Sequence, residues 1–125
     1  FCTRLTGITQ QDVAAAAPLA EVLARFEAWL AARGMDDAVA TGRAVLVTHG
    51  EWDLGDQLRV ECARKGLPVP PPLRGSFVDI KVPFSETVGG GTSITQMMAA
   101  LGLRPAGRAH SGIDDARNIS QVPPT

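Results

Sequence analysis

An α/β domain is the fold class this sequence predicts, and three observations carry that expectation. Apolar residues recur at helical spacing in several segments. Two short apolar runs, bounded by turn residues, read as strands. Along the chain the order is helix, strand, helix, strand, helix, loop, helix, which suits a sheet covered by helices. The 125 residues make one domain at most.

Each element has its own justification. Thr9-Gln10-Gln11-Asp12 has the shape of a capping box with Asp in place of the usual Glu, so a short helix opens there. Pro18 interrupts it and fits the first turn of a second helix. Leu19, Val22, Leu23, Phe26 and Leu30 then recur at helical spacing and are expected to face inward, with Gly34 ending the helix. "AVLVTHG" (44–50) reads as a buried strand. "EWDLGDQLRVECARKG" follows as a helix with Leu54, Leu58 and Cys62 on one face and Gly66 as its stop. "LPVPPPLRG" reads as a stiff loop without regular structure. "SFVDIKV" (76–82) alternates and predicts a strand, and "SETVGGGTS" predicts a flexible linker. "SITQMMAALG" (93–102) predicts a helix with Ile94, Met97, Met98 and Leu101 inward. "GIDDARNI" starts the last helix, which Pro123-Pro124 stops after barely two turns.

Composition narrows the function classes. A net charge of −1 gives no global field toward nucleic acid or membrane. The basic residues are ten arginines with Lys65 and Lys81. Arginine suits bidentate phosphate contacts, although a GC-rich genome produces the same bias. Cys2 and Cys62 show no metal-ligand spacing and fit a reduced intracellular compartment. No apolar run approaches the roughly 18 residues of a membrane span. No signal peptide is visible, and a chain beginning on Phe1 suggests a fragment.

The chemistry-bearing residues cluster at helix starts. In open α/β sheets ligands sit beyond the carboxyl ends of strands. "VTHGEWD" is such a place, and it puts Asp53 in a first helical turn. Asp114 and Asp115 fall in the first turn of the last helix, four and five residues after His110. An acid there stabilises the helix dipole by typically ~0.3–1 kcal/mol, which is the ordinary explanation for each. Were Asp53, Asp115 and His110 to converge, the set would suit metal-assisted phosphodiester hydrolysis. Carboxylates hold a hard cation such as Mg²⁺, and an imidazole takes a proton from water.

Three stretches carry a family resemblance: "FCTRLTGITQQDV", "VTHGEWDL" with the following "QL..EC...GLP", and "LGL...GR.HSGIDDARNI". Together they resemble the enhanced-RNA-interference (Eri-type) 3′→5′ exoribonucleases, the family of the 3′ histone mRNA exonuclease within the DEDDh superfamily. The likeness runs from Phe1 to Ile119 and is looser over 83–93. It implies a ribonuclease-H-like fold, a mixed sheet flanked by helices. It also implies stepwise removal of 3′-terminal nucleotides from RNA with two divalent ions, Mg²⁺ with Mn²⁺ as a substitute. Asp53 matches the middle-motif acid that holds a metal largely through water. Asp115 matches the last-motif acid that ligates directly, and His110 matches the general base. Leu5, Thr6 and Gly7 match the segment near the 3′-terminal nucleotide. Trp52 follows the family pattern and either lines the site or anchors the strand–helix turn beneath it. Arg108 is read as reaching a phosphate or as a solvated surface arginine. Asp114 is read as a helix N-terminal acid, and His49 as a turn residue. Nuclear or cytoplasmic residence follows from the family alone.

One departure matters. The family's first motif is an Asp-x-Glu on a strand upstream of "LTGI", and no Asp-x-Glu occurs in these 125 residues. Residues 1–125 are therefore expected to be a partial exonuclease domain lacking its first strands, with negligible activity on their own. An inactive RNA- or protein-binding pseudo-exonuclease is the alternative, and a DNA-directed exonuclease a weaker one.

Overall fold

The computed structural model of the protein describes residues 1–123. In chain order the elements are α1 (Cys2–Thr6), α2 (Gln10–Ala15), α3 (Leu19–Ala31), α4 (Met35–Ala40) and β1 (Leu46–Thr48). A π-helical turn, Trp52–Gln57, then runs into α5 (Leu58–Arg64), and a single 3₁₀ turn spans Pro71–Leu73. There follow β2 (Phe77–Asp79), α6 (Lys81–Thr87), α7 (Ile94–Ala100) and α8 (Gly112–Ile119). The chain divides into two compact units, one built from Phe1–Ala16 together with Ile80 onward, the other from Ala17–Asp79.

The Ala17–Asp79 unit holds the sheet. Among the described residues it is a parallel pair, with Leu46 opposite Phe77, Val47 opposite Val78 and Thr48 opposite Asp79. The core of this unit is Leu23, Cys62 and Leu73, against which Leu19, Phe26, Leu46, Leu54 and Leu58 pack. The expected inward stripe of α3 holds except at Val22, which is 46% exposed because it lies on the flank of the stripe. α3 ends at Ala31, and Gly34 in left-handed conformation opens α4, a helix that six residues of sequence did not announce. β1 is shorter than 44–50 and is not buried. Val45 and Val47 are half exposed, since alternate residues of a strand point to opposite faces and only one face meets the core. The proline run also departs from expectation. Pro71–Leu73 form a 3₁₀ turn, and Pro72 and Leu73 are buried, because prolines at the start of a turn surrender no needed N–H. Gly66, at φ 64°, does stop α5.

The other unit is helical. Its core is Ile80, Phe84, Met97, Met98 and Val122, with Ile94, Leu101, Leu103 and Ile119 packed around it. The strand expected over 76–82 stops at Asp79, and Lys81–Thr87 is helix where the sequence suggested strand and linker. The physical reason is the pair Ile80 and Phe84. Four residues apart, both reach one core from a helix and would not from a strand. Pro83 falls in the first turn of α6, where it is tolerated. The Thr9–Asp12 capping box is present at α2, with the Thr9 N–H donating to Asp12 at 2.8 Å. A second box, Ser93 with Gln96, opens α7. α8 spans the expected residues; Pro123 follows it, and Pro124 lies outside the described residues. No helix among the described residues is long and apolar enough to cross a membrane.

This packing sets an order of stabilities. Phe84→Ala empties the centre of a fully buried cluster and is expected to cost about 3–5 kcal/mol. Ser93→Ala removes only the cap of α7 and is expected to cost about 1 kcal/mol. Urea denaturation of each variant checks the ranking; a Phe84→Ala loss no larger than that of Ser93→Ala contradicts the core assigned here.

Candidate active site

The helical unit brings most of the sequence-predicted site residues together on two segments. The first is the end of α1 and its cap, Leu5 to Gly7. α1 stops because Gly7 adopts φ 84°, and its N–H donates to the Thr3 carbonyl at 2.9 Å. The Thr6 hydroxyl donates to the Cys2 carbonyl at 2.9 Å and accepts the Ile8 N–H at 3.1 Å, so it shapes this turn. Leu5 is 39% exposed and presents an apolar side chain beside the cap.

The second segment is the loop 106–111 and the start of α8. Two side chains one helical turn apart on α8 hold it. Asn118, the one buried polar residue among the described residues, donates to the Ala106 carbonyl and accepts the Ala106 N–H, both at 3.0 Å. Asp114 accepts the Arg108 N–H at 3.1 Å and lies 3.6 Å from the Arg117 guanidinium. Gly107 is obligatory between them: a Cβ there would stand 2.4 Å from the Asp114 carboxyl carbon, and its φ is 75°. The Arg108 amide first, then the Ser111 hydroxyl and the Arg117 charge, hold the Asp114 carboxyl below the usual aspartate range.

His110 sits in the turn this clamp creates. The Ser111 N–H donates to the Arg108 carbonyl at 3.2 Å, closing a four-residue turn with His110 at its third position. His110 has φ 65° and is the one non-glycine residue with positive φ among the described residues. That pattern is a type II turn, where glycine is the usual occupant of the third position. A histidine there carries backbone strain, of the kind that concentrates at working sites. The imidazole is exposed, and it has no hydrogen-bond partner among the described residues. Asp115 follows in the first turn of α8, half-buried, its N–H bonded to the Ser111 carbonyl at 2.8 Å. Its carboxylate has no partner among the described residues, in contrast to that of Asp114 beside it.

Arg108 is exposed, and it also makes a contact that the sequence did not announce. Its guanidinium donates to the Arg4 carbonyl at the end of α1 and packs over Gly7, where a Cβ would come within 2.9 Å of Nη1.

Trp52 and Asp53 lie in the Ala17–Asp79 unit. β1 ends at Thr48, opposite Asp79, and the Asp79 carboxylate accepts the Gly50 N–H at 2.9 Å. Asp79 thus fixes the turn that delivers residues 51–53. Gly50 can follow that turn because its φ is 108°. Asp53 lies in the first turn of the π-helical segment, its carbonyl accepting the Leu58 N–H five residues on. Such turns are rare and recur at functional sites. Gly55 within it weakens the α-helical preference. Trp52 is 62% exposed, so the buried-anchor reading of that residue is overturned and its ring is available at the surface. His49 lies in the bend after β1, as expected.

Sequence reasoning missed Asn118 and Asp79. Each has a retrospective signal, an amide four residues after an acid on a short helix and an acid ending an apolar strand. Neither is readable without the backbone group it serves. Among the described residues no group of three or more His, Cys, Asp or Glu side chains is arranged to hold a metal. Asp115 nonetheless fits a ligand's role, as a half-buried carboxylate at a helix start with no partner among the described residues.

Comparison with known proteins bears on this geometry directly. Residues 1–122 match the RNase_T family, described as Exonuclease. This chain belongs to the exonuclease family. It is 36% identical over 124 residues to human ERI1 exoribonuclease 3, covering 98% of this chain and 36% of that protein. It is 40% identical over 132 residues to ERI1 exoribonuclease 2 of Danio rerio, covering 96% of this chain and 24% of that protein. It is 33% identical over 132 residues to the 3′-5′ exonuclease Snipper of Drosophila melanogaster, covering 98% and 47%. The chain thus spans less than half the length of each of these curated relatives. Among solved structures it is similar to the nuclease domain of 3′hExo, a DEDDh family member bound to rAMP. The TM-score is 0.82 at 28% identity, covering 98% of this chain and 60% of that one. A structure of 3′-end-specific recognition of histone mRNA stem-loop by 3′-exonuclease matches with a TM-score of 0.78 at 27% identity, covering 98% and 54%. The fold is that of the DEDDh nuclease domains, ribonuclease-H-like, as the resemblance implied. Divalent-metal dependence is general in that family.

Two outcomes test the loop. His110→Gly relieves the left-handed backbone and is expected to leave the unit about 1 kcal/mol more stable than His110→Ala, read by urea denaturation. Equal stabilities would contradict the strained turn. Asp114 has a folded pKa below its unfolded value, so its support of the loop is complete above the ordinary aspartate range. That support is lost as pH falls through the depressed value. The Arg108 amide resonance should titrate at that lower pH and become insensitive to it in Asp114→Asn.

Proposed function

We propose that this chain carries two of the motif segments of a 3′→5′ exoribonuclease that removes 3′-terminal nucleotides of RNA by metal-dependent phosphodiester hydrolysis. The observation that carries the reading is His110 in a clamped left-handed turn, five residues before a half-buried aspartate without a partner among the described residues. The family membership and the ERI1-type relatives support it.

In this reading His110 takes the proton from the attacking water; the exposed imidazole can release it to solvent after each turnover. Asp115 is a direct metal ligand, and Asp53 helps hold a metal through water. Mg²⁺, with Mn²⁺ as a substitute, is the ion whose chemistry these oxygen donors suit. When bound, the ions neutralise phosphate charge and acidify the water. Leu5 and the Thr6–Gly7 cap take the 3′-terminal nucleotide, the apolar side chain against the base and the backbone turn against the sugar. Trp52 offers an exposed ring on which a base can stack. RNA is preferred to DNA on the strength of the ERI1-type likeness, and nuclear or cytoplasmic residence is inferred from the family alone.

The test uses the full product of the gene with Mg²⁺ and a 5′-labelled RNA bearing a single-stranded 3′ end. His110→Ala is expected to lower the single-turnover rate by roughly 10²–10⁴-fold with RNA affinity nearly unchanged. Asp115→Asn is expected to be at least as damaging and Asp53→Asn milder. A His110→Ala variant at full rate would remove the general-base role. A wild-type protein that binds RNA but never shortens it would establish the inactive, RNA-binding alternative.

A further inference from the structure

The short helix α1 has no buried residue, so core packing does not fix its position. Three of its carbonyls are instead held by identified donors. The Thr6 hydroxyl takes Cys2, the Gly7 N–H takes Thr3, and the Arg108 guanidinium takes Arg4. Only the last comes from outside the N-terminal segment, across 104 residues of sequence. Arg108 is itself held at both backbone polar groups and at one guanidinium nitrogen. Its N–H goes to the Asp114 carboxylate, and its carbonyl accepts the Ser111 N–H that closes the His110 turn. Its guanidinium lies over Gly7, with the space that a Cβ would fill occupied by Nη1. One residue therefore joins the Leu5–Gly7 cap, the His110 turn and α8.

We propose that Arg108 is a positioning residue, a strut that fixes the nucleotide-facing Leu5–Gly7 cap at a set distance from the His110 turn, and that it does not contact the RNA phosphate. The inference rests on the functional reading above for what the cap and the histidine do, but the strut itself is a statement about the protein alone. A guanidinium suits this role because its planar fork keeps donating to a carbonyl at a helix end while its face lies on a glycine. It also explains why Gly7 has no side chain. The φ of 84° demands glycine, and the arginine uses the room that glycine leaves.

The experiment has two arms. In the first, amide hydrogen exchange is measured at Thr6 and Gly7 in wild type, Arg108→Ala, Arg108→Lys and Gly7→Ala. Arg108→Ala is expected to speed exchange roughly 3–10-fold, the worth of one hydrogen bond. Arg108→Lys, which keeps a donor, should recover part of it. Gly7→Ala and Arg108→Ala together should be less than additive, since each disrupts the same contact. Unchanged exchange in Arg108→Ala overturns the strut, whether or not the protein is active. In the second arm, single-turnover rate and RNA affinity are followed against salt. A strut predicts a lower rate at saturating RNA with the salt slope of binding unchanged. A slope reduced by about 1 at an unchanged rate identifies a phosphate contact and overturns the proposal. If the wild type shows no nuclease activity, the functional reading fails, while exchange and salt slope still decide the strut.

Discussion

The geometry of the candidate site depends on one constraint: the loop 106–111 has no ladder of its own and takes its shape from the face of α8. Asn118 matches both polar groups of Ala106, and Asp114 takes the Arg108 N–H. Magnitudes show why this must be complete. A made hydrogen bond contributes about 1 kcal/mol, while a buried polar group left without a partner costs about 1–3 kcal/mol. Asn118, only 3% exposed, is therefore tolerable only with the loop in this conformation. The clamp selects the loop more than it stabilises the unit. It also makes Gly107, Asp114 and Asn118 a single structural choice, since the carboxyl carbon of Asp114 occupies the space any larger residue at 107 would need.

Each unit divides the work between two acids. In the helical unit Asp114 shapes the loop and the adjacent Asp115 keeps its carboxylate without a partner among the described residues. In the other, Asp79 fixes the turn after β1, and Asp53 stands beyond it in the π-helical turn. One carboxylate in each pair has its charge compensated by backbone N–H groups and gives the chain its shape. The other has no hydrogen bond or ion pair among the described residues. Two acids side by side at a helix start would repel if both faced one ligand. Successive helical residues point about 100° apart, so the Asp114–Asp115 pair serves two directions from one turn.

Much of this was legible in the sequence, and the failures have a common cause. The Thr9–Asp12 cap, the α3 stripe, the stop at Gly66 and the span of α8 all rest on neighbouring residues, and all appear where expected. The stretch after β2 failed because alternation over Phe77–Val82 and the spacing of Ile80 and Phe84 support different elements. Only the location of the core decides between them. The same holds for the site. His110, Asp115 and Asp53 are legible as candidates from their places at helix starts and from the family resemblance. Asn118 and Asp79 act on backbone groups 12 and 29 residues away, and Arg108 reaches 104, so their roles are invisible until the chain is folded.

The position of His110 now has a physical account. A type II turn favours glycine at its third place, and any other residue there adds strain of about 1–3 kcal/mol. Glycine would satisfy the backbone and remove the only imidazole on this loop. Histidine persists because the two ends of the turn are held from outside it, Arg108 by Asp114 and Arg4, Ser111 by the start of α8. With both ends fixed, the turn cannot relax by adopting another conformation, and the strain is absorbed by a frame that other residues stabilise. A left-handed residue also turns its side chain to the side opposite the one a right-handed residue would use. The frame therefore aims the ring, and the general-base role proposed for His110 would need that aim as much as its nitrogen. This is why the loop carries so many backbone restraints for so few residues, and why the histidine and the two aspartates stand at one helix start.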